Sequence, residues 1–294
     1  MSAEPLPERG SKGNRGSRLV YAVLRISFLA LLAIPQSARG EKAPHGTVDL
    51  IAAQSSVEPA RPLWVGLHFQ LEKGWHIYWI NPGDSGTPPQ VKWNLPAGFQ
   101  ASSLHWPIPR RIQDHSLVDY GYQDDVLLPV EISVPPRLTT RAEAELGATV
   151  NWVVCRELCL PARATLALKL PVRTGTSLQS PLGYPLIAKA RAELPRPAPK
   201  SWKSTATLGQ HQFVLTVATG KPEKAATYFP FEPNQIENAA PQPARPFSRG
   251  VRIELQKSDQ LLKPPPRLTG VLVLSSGQGY TVEAPVIISK SKSE

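Results

Sequence analysis

Apolar and polar positions alternate along most of the chain, with the period of two that is typical of half-buried β-strands. In the segment PLWVGLHFQL, every second side chain from Leu63 to Leu71 is apolar. The same period occurs at 146–154 and again at 164–170. Two strands therefore flank the short connection that carries Cys155 and Cys159, which predicts a β-hairpin.

The alternation stops between residues 171 and 200, where six prolines surround one short helical stretch at about Tyr184–Leu194. This composition predicts a linker that contains a helix. The alternation resumes at 213–217 and 251–255 and continues nearly to the C-terminus, whereas 237–250 is predicted to be a long loop. Several short strands separated by turn residues predict a second antiparallel sandwich.

Proline accounts for 32 of the 294 residues, about twice its usual share, which disfavours long helices. We therefore expect an all-β chain of two antiparallel β-sandwiches joined by a proline-rich linker with a short helix. The expected organisation is a signal peptide at 1–40, a first sandwich at 41–175, a linker at 176–200, a second sandwich at 201–288 and a polar tail at 289–294.

The N-terminus has the features of an export signal. Four basic residues precede the apolar run LVYAVLRISFLALLAIP, and Ala38 and Gly40 then have the small-x-small spacing of a signal-peptidase site. The alternative is a retained membrane anchor at 19–35, but Arg25 interrupts the run and leaves only 26–35 uncharged. Because a spanning helix needs roughly 20 apolar residues, we expect cleavage and a soluble periplasmic product.

The formal net charge of +10 raises the question of a nucleic-acid partner. Residues 1–40 contain six basic and two acidic residues, so a charge of about +6 remains on the rest of the chain. Those basic residues are scattered, with Arg110 and Arg111 as the densest pair, whereas a nucleic-acid site needs a clustered basic patch. We therefore expect a solvated surface and no nucleic-acid partner.

Cys155 and Cys159 are the only cysteines, and three roles are open to them. A structural disulfide fits the spacing, but it would close a loop of about five residues and remove only about 2 kcal/mol of unfolded-chain freedom. A zinc site would need two further ligands, and no two histidines have the short spacing of a zinc motif. Copper sites often use methionine, and the chain has none after Met1.

A reversible disulfide is the third role. An exposed hairpin tip would let the sulfur of another protein approach, and disulfides that close small loops tend to be strained and easier to reduce. Arg156, between the cysteines, would favour a thiolate, whereas Glu157 would oppose it. Exchange would need no cofactor, because a thiolate attacks a disulfide sulfur directly. From the residues alone, exchange and a permanent staple both stay open.

Four segments form a specific combination: GWHIYWINPGDSGTPPQVKWNLP at 74–96, WPIPRR at 106–111, YGYQDDVLLPVEI at 120–132 and WVVCRELCLP at 152–161. Together with GVLVLSSGQGYTVEAP at 270–285, they resemble the periplasmic N-terminal region of DsbD-type thiol:disulfide interchange proteins. The likeness is greatest to the branch that includes the ScsB proteins. Either the cysteine segment or the WINPGD segment alone would be a weak signal.

This resemblance implies immunoglobulin-like sandwiches and a redox-active pair at Cys155 and Cys159, with Cys159 attacking the partner. The pair would take electrons from a membrane-embedded domain and pass them to periplasmic thiol-disulfide proteins, including those of cytochrome c maturation. Members of the family continue into a membrane domain and a thioredoxin-like domain, and the sequence to Glu294 contains neither. We therefore expect a separate membrane-embedded electron donor, and membrane contact only through a partner or an uncleaved 19–35 segment.

Aromatic residues before the NPGD turn are candidates for shielding the disulfide. Most tryptophans of the first sandwich should pack in its core, but Tyr78 and Trp79 could cover the sulfurs. Replacement of either by alanine should then speed reduction by small thiols. Asp84, Asp124 and Asp125 could supply a carboxylate for proton transfer, although solvated loop carboxylates are more common.

Two functions of different classes follow. The first is an exported module that passes reducing equivalents between proteins through a reversible Cys155–Cys159 disulfide, as a component of a protein-disulfide oxidoreductase. The alternative is a non-catalytic binding or scaffold module with a permanent structural disulfide. His76 and His105 are interpreted as strand or loop residues. No Ser-His-Asp arrangement, glycine-rich phosphate loop or paired-carboxylate motif rises above chance spacing, which argues against a hydrolase or a nucleotide enzyme.

Overall fold

The computed structural model describes residues 41–139 and 142–289. Within these ranges the chain is mostly β-strand with one α-helix, as the alternation predicts. The predicted signal peptide or anchor at 1–40, and all of the predicted tail at 289–294 except Ser289, lie outside the described residues. No helix of the described part is long and apolar enough to cross a membrane.

The described residues up to Pro171 form two antiparallel sheets. Their strands are β1 (Glu41–Ala43), β2 (Gly46–Ala52), β3 (Leu63–Leu71), β4 (His76–Gly83), β5 (Gln90–Asn94), β6 (Gln100–Ala101), β7 (Arg110–Asp114), β8 (Leu117–Gln123), β9 (Asp125–Ser133), β10 (Glu143–Cys155) and β11 (Cys159–Pro171). One sheet has the order β1-β2-β3-β9-β6. The other has the order β11-β10-β4-β8-β7, with β5 also paired to β10.

Apolar side chains of the two sheets form one buried core, at the positions that the alternation predicts. Every second residue from Leu63 to Phe69 in β3 is buried, and so is every second residue from Leu146 to Val154 in β10. The even-numbered residues from Ala164 to Leu170 in β11 contribute to the same core. The odd-numbered residues of β10 and β11, which include both cysteines, therefore lie on the outer face of the six-stranded sheet.

The helix α1 (Gly183–Ala192) begins and ends within two residues of the helix predicted in the linker. Ile187 and Ala190 on this helix are buried against Leu127 of β9. Since β9 belongs to the five-stranded sheet, the helix covers the side of that sheet which faces away from the core. The linker is thus packed against the first half of the chain.

The described residues from Arg196 onwards form one eight-stranded sheet. Its strands are β12 (Arg196–Pro197), β13 (Lys203–Leu208), β14 (Gln212–Ala218), β15 (Ala226–Pro230), β16 (Ala244–Phe247), β17 (Gly250–Gln256), β18 (Arg267–Leu274) and β19 (Gly279–Ile288). The order is β15-β18-β19-β13-β14-β17-β16, with β12 also on β19, and both β12 and β13 pair with β19 in parallel. The predicted loop at 237–250 contains the short edge strand β16.

An apolar contact joins the two halves of the described chain. The ring of Trp79 lies 5.5 Å from that of Phe231, and the ring of Tyr120 lies 5.2 Å from that of Phe229. Burial raises the pKa of Tyr120 well above its ordinary value, so the hydroxyl stays protonated. It donates a hydrogen bond to Oδ1 of Asn238 at 2.9 Å. The second half is therefore held against β4, whose His76 pairs with Cys155, and against its neighbour β8.

Candidate functional site: a disulfide at a hairpin tip

The β10–β11 hairpin holds the two cysteines at the last paired position before its tip. Cys155 and Cys159 are register partners with their Cα atoms 4.2 Å apart, and a disulfide joins them. Residues 156–158 form the tip, where the N–H of Arg156 donates to the carbonyl of Leu158 at 3.3 Å. Since directly opposite residues of an antiparallel pair are side-chain neighbours, strand pairing alone brings the two sulfurs together.

The two cysteines differ in accessibility. Cys155 is only 2% exposed, and its other neighbour in the sheet is His76 of β4. Cys159 is exposed, and the adjacent Leu158 is 61% exposed. A thiol of another protein can therefore approach Cys159, whereas Cys155 is protected by the neighbouring strand β4 and by the residues that cover the outer face of the sheet.

Tyr78 lies on the same outer face as the disulfide. His76 is paired with Cys155, and strand alternation places Tyr78 on the side of His76, while Trp79 faces the core. The Tyr78 hydroxyl lies 3.6 Å from Sγ of Cys159, and the side chain is fully buried. Of the two aromatic residues predicted to shield the disulfide, Tyr78 is the one that the structure places at a sulfur.

The segment after Tyr78 forms a loop over its ring. The pairing of β4 with β8 is interrupted between Tyr78 and Gly83, so the chain bulges away from the sheet before it returns across the outer face. Gly86 has a φ of +68°, and a Cβ added there would lie 2.0 Å from Cζ of Tyr78. Only glycine allows both the positive φ and the close approach to the Tyr78 ring. Thr87 and Pro88 of this loop, with outer-face residues of β10 and β11, line a groove of about 370 Å³ beside the hairpin.

A chain of polar side chains runs from Cys159 into the protein. The Tyr78 hydroxyl, which contacts the sulfur, is 3.2 Å from Oγ of Ser85. Ser85 donates from Oγ to Oδ2 of Asp119 and from its backbone N–H to Oδ1, both at 2.9 Å. Nε2 of His76 lies 3.5 Å from the same Oδ2. The side chains of His76 and Asp119 are 3% and 4% exposed, so this pair is shielded from water.

Trp79 and Asp84 were also predicted near the disulfide, and the structure places their side chains elsewhere. Trp79 packs in the core and against Phe231 of the second half. Oδ2 of Asp84 accepts the N–H of Val118 at 2.7 Å, and Oδ1 accepts Nδ2 of Asn238 at 2.8 Å. These contacts attach the NPGD turn to β8 and to the second half, whereas the carboxylate linked to Cys159 is that of Asp119.

The remaining predicted charges are distributed around the site. The guanidinium of Arg156 lies 3.3 Å from the carboxylate of Glu157, with both side chains largely exposed, so their opposing effects on a thiolate act from nearly the same place. Oδ2 of Asp125 is 2.7 Å from Nε2 of His68, which lies in β3. Asp124 has a φ of +64° in the tight turn between β8 and β9, which is a structural position.

The sequence does not single out Ser85 or Asp119, and it presents His76 as a strand residue. Asp119 alternates with the core residues Val118 and Tyr120, so the pattern predicts an outer-face side chain in water. The loop that follows the neighbouring strand β4 covers that position through Ser85, and the alternation carries no signal for this. The closest signal is the glycine-rich composition of the segment from 83 to 86.

Residues 48–171 match the family model described as thiol:disulfide interchange protein DsbD, N-terminal. The matched segment contains the hairpin and every member of the polar chain from Cys159 to His76. The resemblance indicated by the four sequence segments is therefore confirmed. No curated protein sequence matches the chain.

A solved structure with a similar fold is the N-terminal periplasmic domain of ScsB from Proteus mirabilis. It is 18% identical and aligns with 82% of this chain and 93% of its own, with a TM-score of 0.61. This likeness shows the fold and confirms the prediction of an all-β, immunoglobulin-like architecture. The periplasmic chaperone SfaE also aligns, over 82% of this chain and 100% of its own, but its 9% identity and TM-score of 0.22 carry no argument.

The site thus combines an exposed cysteine, a buried cysteine and a largely buried chain of hydroxyl, carboxylate and imidazole groups. Exchange at the exposed sulfur would use groups that the chain itself provides. Within residues 41–139 and 142–289, no three His, Cys, Asp or Glu side chains gather as they would around a metal ion.

Proposed function

We propose that this protein is a periplasmic thiol:disulfide interchange module that passes reducing equivalents between partner proteins through a reversible Cys155–Cys159 disulfide. The observation that carries the proposal is the accessible Cys159 at a hairpin tip, joined to a protected Cys155. The family match over 48–171, which includes this hairpin, supports the same chemistry. In this role the protein is one component of a protein-disulfide oxidoreductase system.

The exchange proceeds in two displacement steps. A thiolate of a reduced donor attacks Sγ of Cys159, so that a donor–Cys159 disulfide forms and the Cys155–Cys159 bond breaks with its electron pair on Cys155. The second thiolate of the donor then attacks the donor sulfur of the mixed disulfide and releases Cys159. The donor leaves oxidised, and both cysteines of the module take up a proton. The same steps in reverse, with Cys159 as the attacking thiolate, reduce a downstream disulfide protein.

The proposed partners are periplasmic thiol-disulfide proteins downstream and a separate membrane-embedded electron donor upstream. The periplasmic location rests on the export signal expected at 1–40 and on the similarity to the periplasmic domain of ScsB. Mass measurement of the product after expression with export tests this location. A product that begins near residue 41 supports cleavage, whereas a full-length product in the membrane fraction supports the anchor at 19–35.

The first experiment is a redox titration of the purified protein in dithiothreitol or glutathione buffers, read by alkylation and mass. We expect the folded protein to be reduced at a potential above about −300 mV, in the range of exchanging disulfides. Circular dichroism of each sample reports whether the protein stays folded. A bond that is reduced only after unfolding contradicts the proposal.

A matched pair of variants tests which cysteine reacts with partners. Cys155→Ala leaves the exposed Cys159 and should form mixed disulfides with periplasmic thiol-disulfide proteins. Cys159→Ala leaves the protected Cys155 and should form far fewer. Equal trapping by both variants would contradict the assignment of Cys159 as the attacking residue.

One observation favours the alternative function, a scaffold with a permanent disulfide. Cys155 is buried, and the bond closes the tip of a hairpin whose strands are each 13 residues long, as a structural staple would. If the disulfide is a staple, its reduction should lower the free energy of unfolding by about 2 kcal/mol. It should not exchange with the thiols of partner proteins. The redox titration separates this function from exchange.

A further inference from the structure

The polar chain behind Cys159 has an order that suits proton transfer. The hydroxyl of Tyr78 contacts the sulfur that would attack a partner, and Ser85 links this hydroxyl to Asp119. Ser85 donates to the carboxylate, so the hydroxyl of Tyr78 can donate to Ser85 and a thiol of Cys159 can donate to Tyr78. Every hydrogen bond in this arrangement points away from the sulfur and towards Asp119.

The chain ends at a nitrogen that has no hydrogen-bond partner. Nε2 of His76 is buried and makes no hydrogen bond, although it lies 3.5 Å from Oδ2 of Asp119. A buried ring nitrogen without a hydrogen bond costs stability, and such groups in native structures often have a catalytic or redox role. A proton on this nitrogen would face the carboxylate of Asp119, whose Oδ2 can accept a hydrogen bond.

We propose that Tyr78, Ser85, Asp119 and His76 form a relay that removes the proton from the Cys159 thiol when the reduced module attacks a disulfide and returns it when the module is reduced. This proposal rests on the proposed function. Tyr78 is the catalytic residue, since it touches the reacting sulfur, and the other three act through it as positioning residues.

The step is balanced for one proton. The Cys159 thiol gives its proton to the Tyr78 oxygen, the Tyr78 proton passes to Oγ of Ser85, and the Ser85 proton passes to Asp119 and is held against Nε2 of His76. The sulfur becomes a thiolate while the Asp119–His76 pair gains one positive charge. The thiolate then attacks the disulfide of the partner, whose leaving sulfur receives the electron pair. Tyr78, Asp119 and His76 are buried, so these three members of the relay are shielded from bulk water.

The test measures the reaction of the fully reduced protein with 5,5′-dithiobis(2-nitrobenzoate), at a pH where most thiols are protonated. The variants are Tyr78→Phe, Asp119→Asn and the double variant. Tyr78→Phe keeps the ring that covers the site and removes only the hydroxyl. The matched control is Tyr122→Phe, whose fully buried hydroxyl on β8 donates to the carbonyl of Pro107 and has no part in the relay.

Each relay variant should slow the reaction by roughly 100-fold, the lower part of the range for general acid–base catalysis. The double variant should be no slower than the single ones, because a relay broken once is already broken. Tyr122→Phe should stay within about twofold of wild type, and Ser85→Ala replaces Asp119→Asn if the latter does not fold. Effects that multiply in the double variant, or relay variants as fast as the control, would overturn the relay.

A second readout separates a relay from a structural or electrostatic effect. A relay speeds the forward and reverse reactions equally, so the midpoint potential of the cysteine pair should be the same in wild type and in Tyr78→Phe. A slower rate together with a shifted potential would overturn the relay in favour of altered stability of the bond. If folded wild-type protein does not react at all, the proposed function itself is overturned along with the relay. If wild type reacts and the variants match the control, only the relay is lost.

Discussion

Tyr78 and Trp79 are adjacent in β4 and both fully buried, yet they serve different parts of the molecule. Trp79 faces the apolar core and continues it into the second half through Phe231. Tyr78 faces the outer side of the same sheet, where its neighbours are a sulfur, a hydroxyl and the ring of His76. One ring therefore lies in the apolar core and the other beside the disulfide, so burial by itself does not say what a residue contacts.

The largest expected effect of any single change is on the inner face. Trp79→Ala should lower the free energy of unfolding by about 3–5 kcal/mol, since it leaves a cavity where the two halves meet. Urea denaturation followed by circular dichroism measures this value. Ile80→Ala, at a 42% exposed position of the same strand, serves as the control and should cost much less. Reduction of the disulfide in the folded Trp79 variant should stay slow, in contrast to the shielding first predicted for this residue.

The second effect concerns the loop that covers the outer face. Gly86→Ala should destabilise the protein by about 1–3 kcal/mol, because the new Cβ meets the Tyr78 ring and φ is positive. The displaced loop should also allow faster reduction of the disulfide by dithiothreitol. Gly220→Ala is the matched control, since φ is +96° there and no atom lies within 4 Å. Equal reduction rates for the two variants would show that the loop does not shield the sulfurs.

The third effect concerns the link between the two faces. Asn238→Ala removes one hydrogen bond to Asp84 and one from Tyr120, so it should cost about 1–3 kcal/mol of stability. Because Asp84 lies directly before the covering loop, the rate of disulfide reduction should rise as well. Hydrogen exchange of the Ser85 amide reports the opening of the loop. Unchanged exchange would mean that the second half stabilises the fold without holding the loop.

The smallest effect is expected for the exposed charges of the hairpin tip. Arg156→Gln combined with Glu157→Gln should change the free energy of unfolding by less than about 0.5 kcal/mol, since exposed ion pairs contribute little. The rate of exchange should also change little, because the two charges oppose each other beside Cys159. A large rate change at low ionic strength would show that the tip, rather than the buried outer face, controls the sulfur.

The sequence by itself determined the strands, the hairpin and the pair of cysteines. Alternation of period two is a local property, so it reports correctly which side chains of β3, β10 and β11 face the core. Proline indicated the linker with its helix, and the combination of sequence motifs indicated the resemblance to the family. These features depend on residues that are close in sequence, so they can be predicted without knowing how distant segments of the chain pack.

Only the tertiary structure decided which residues surround the sulfurs. Tyr78 meets Cys159 across 81 positions, Ser85 meets Asp119 across 34, and Asn238 meets Asp84 across 154. Alternation assigned Asp119 to an outer face and therefore to solvent, but a loop from another strand covers that face. A sequence pattern indicates which way a side chain points, whereas the packing of remote segments determines what it contacts there. The surroundings of the two sulfurs depend on this packing.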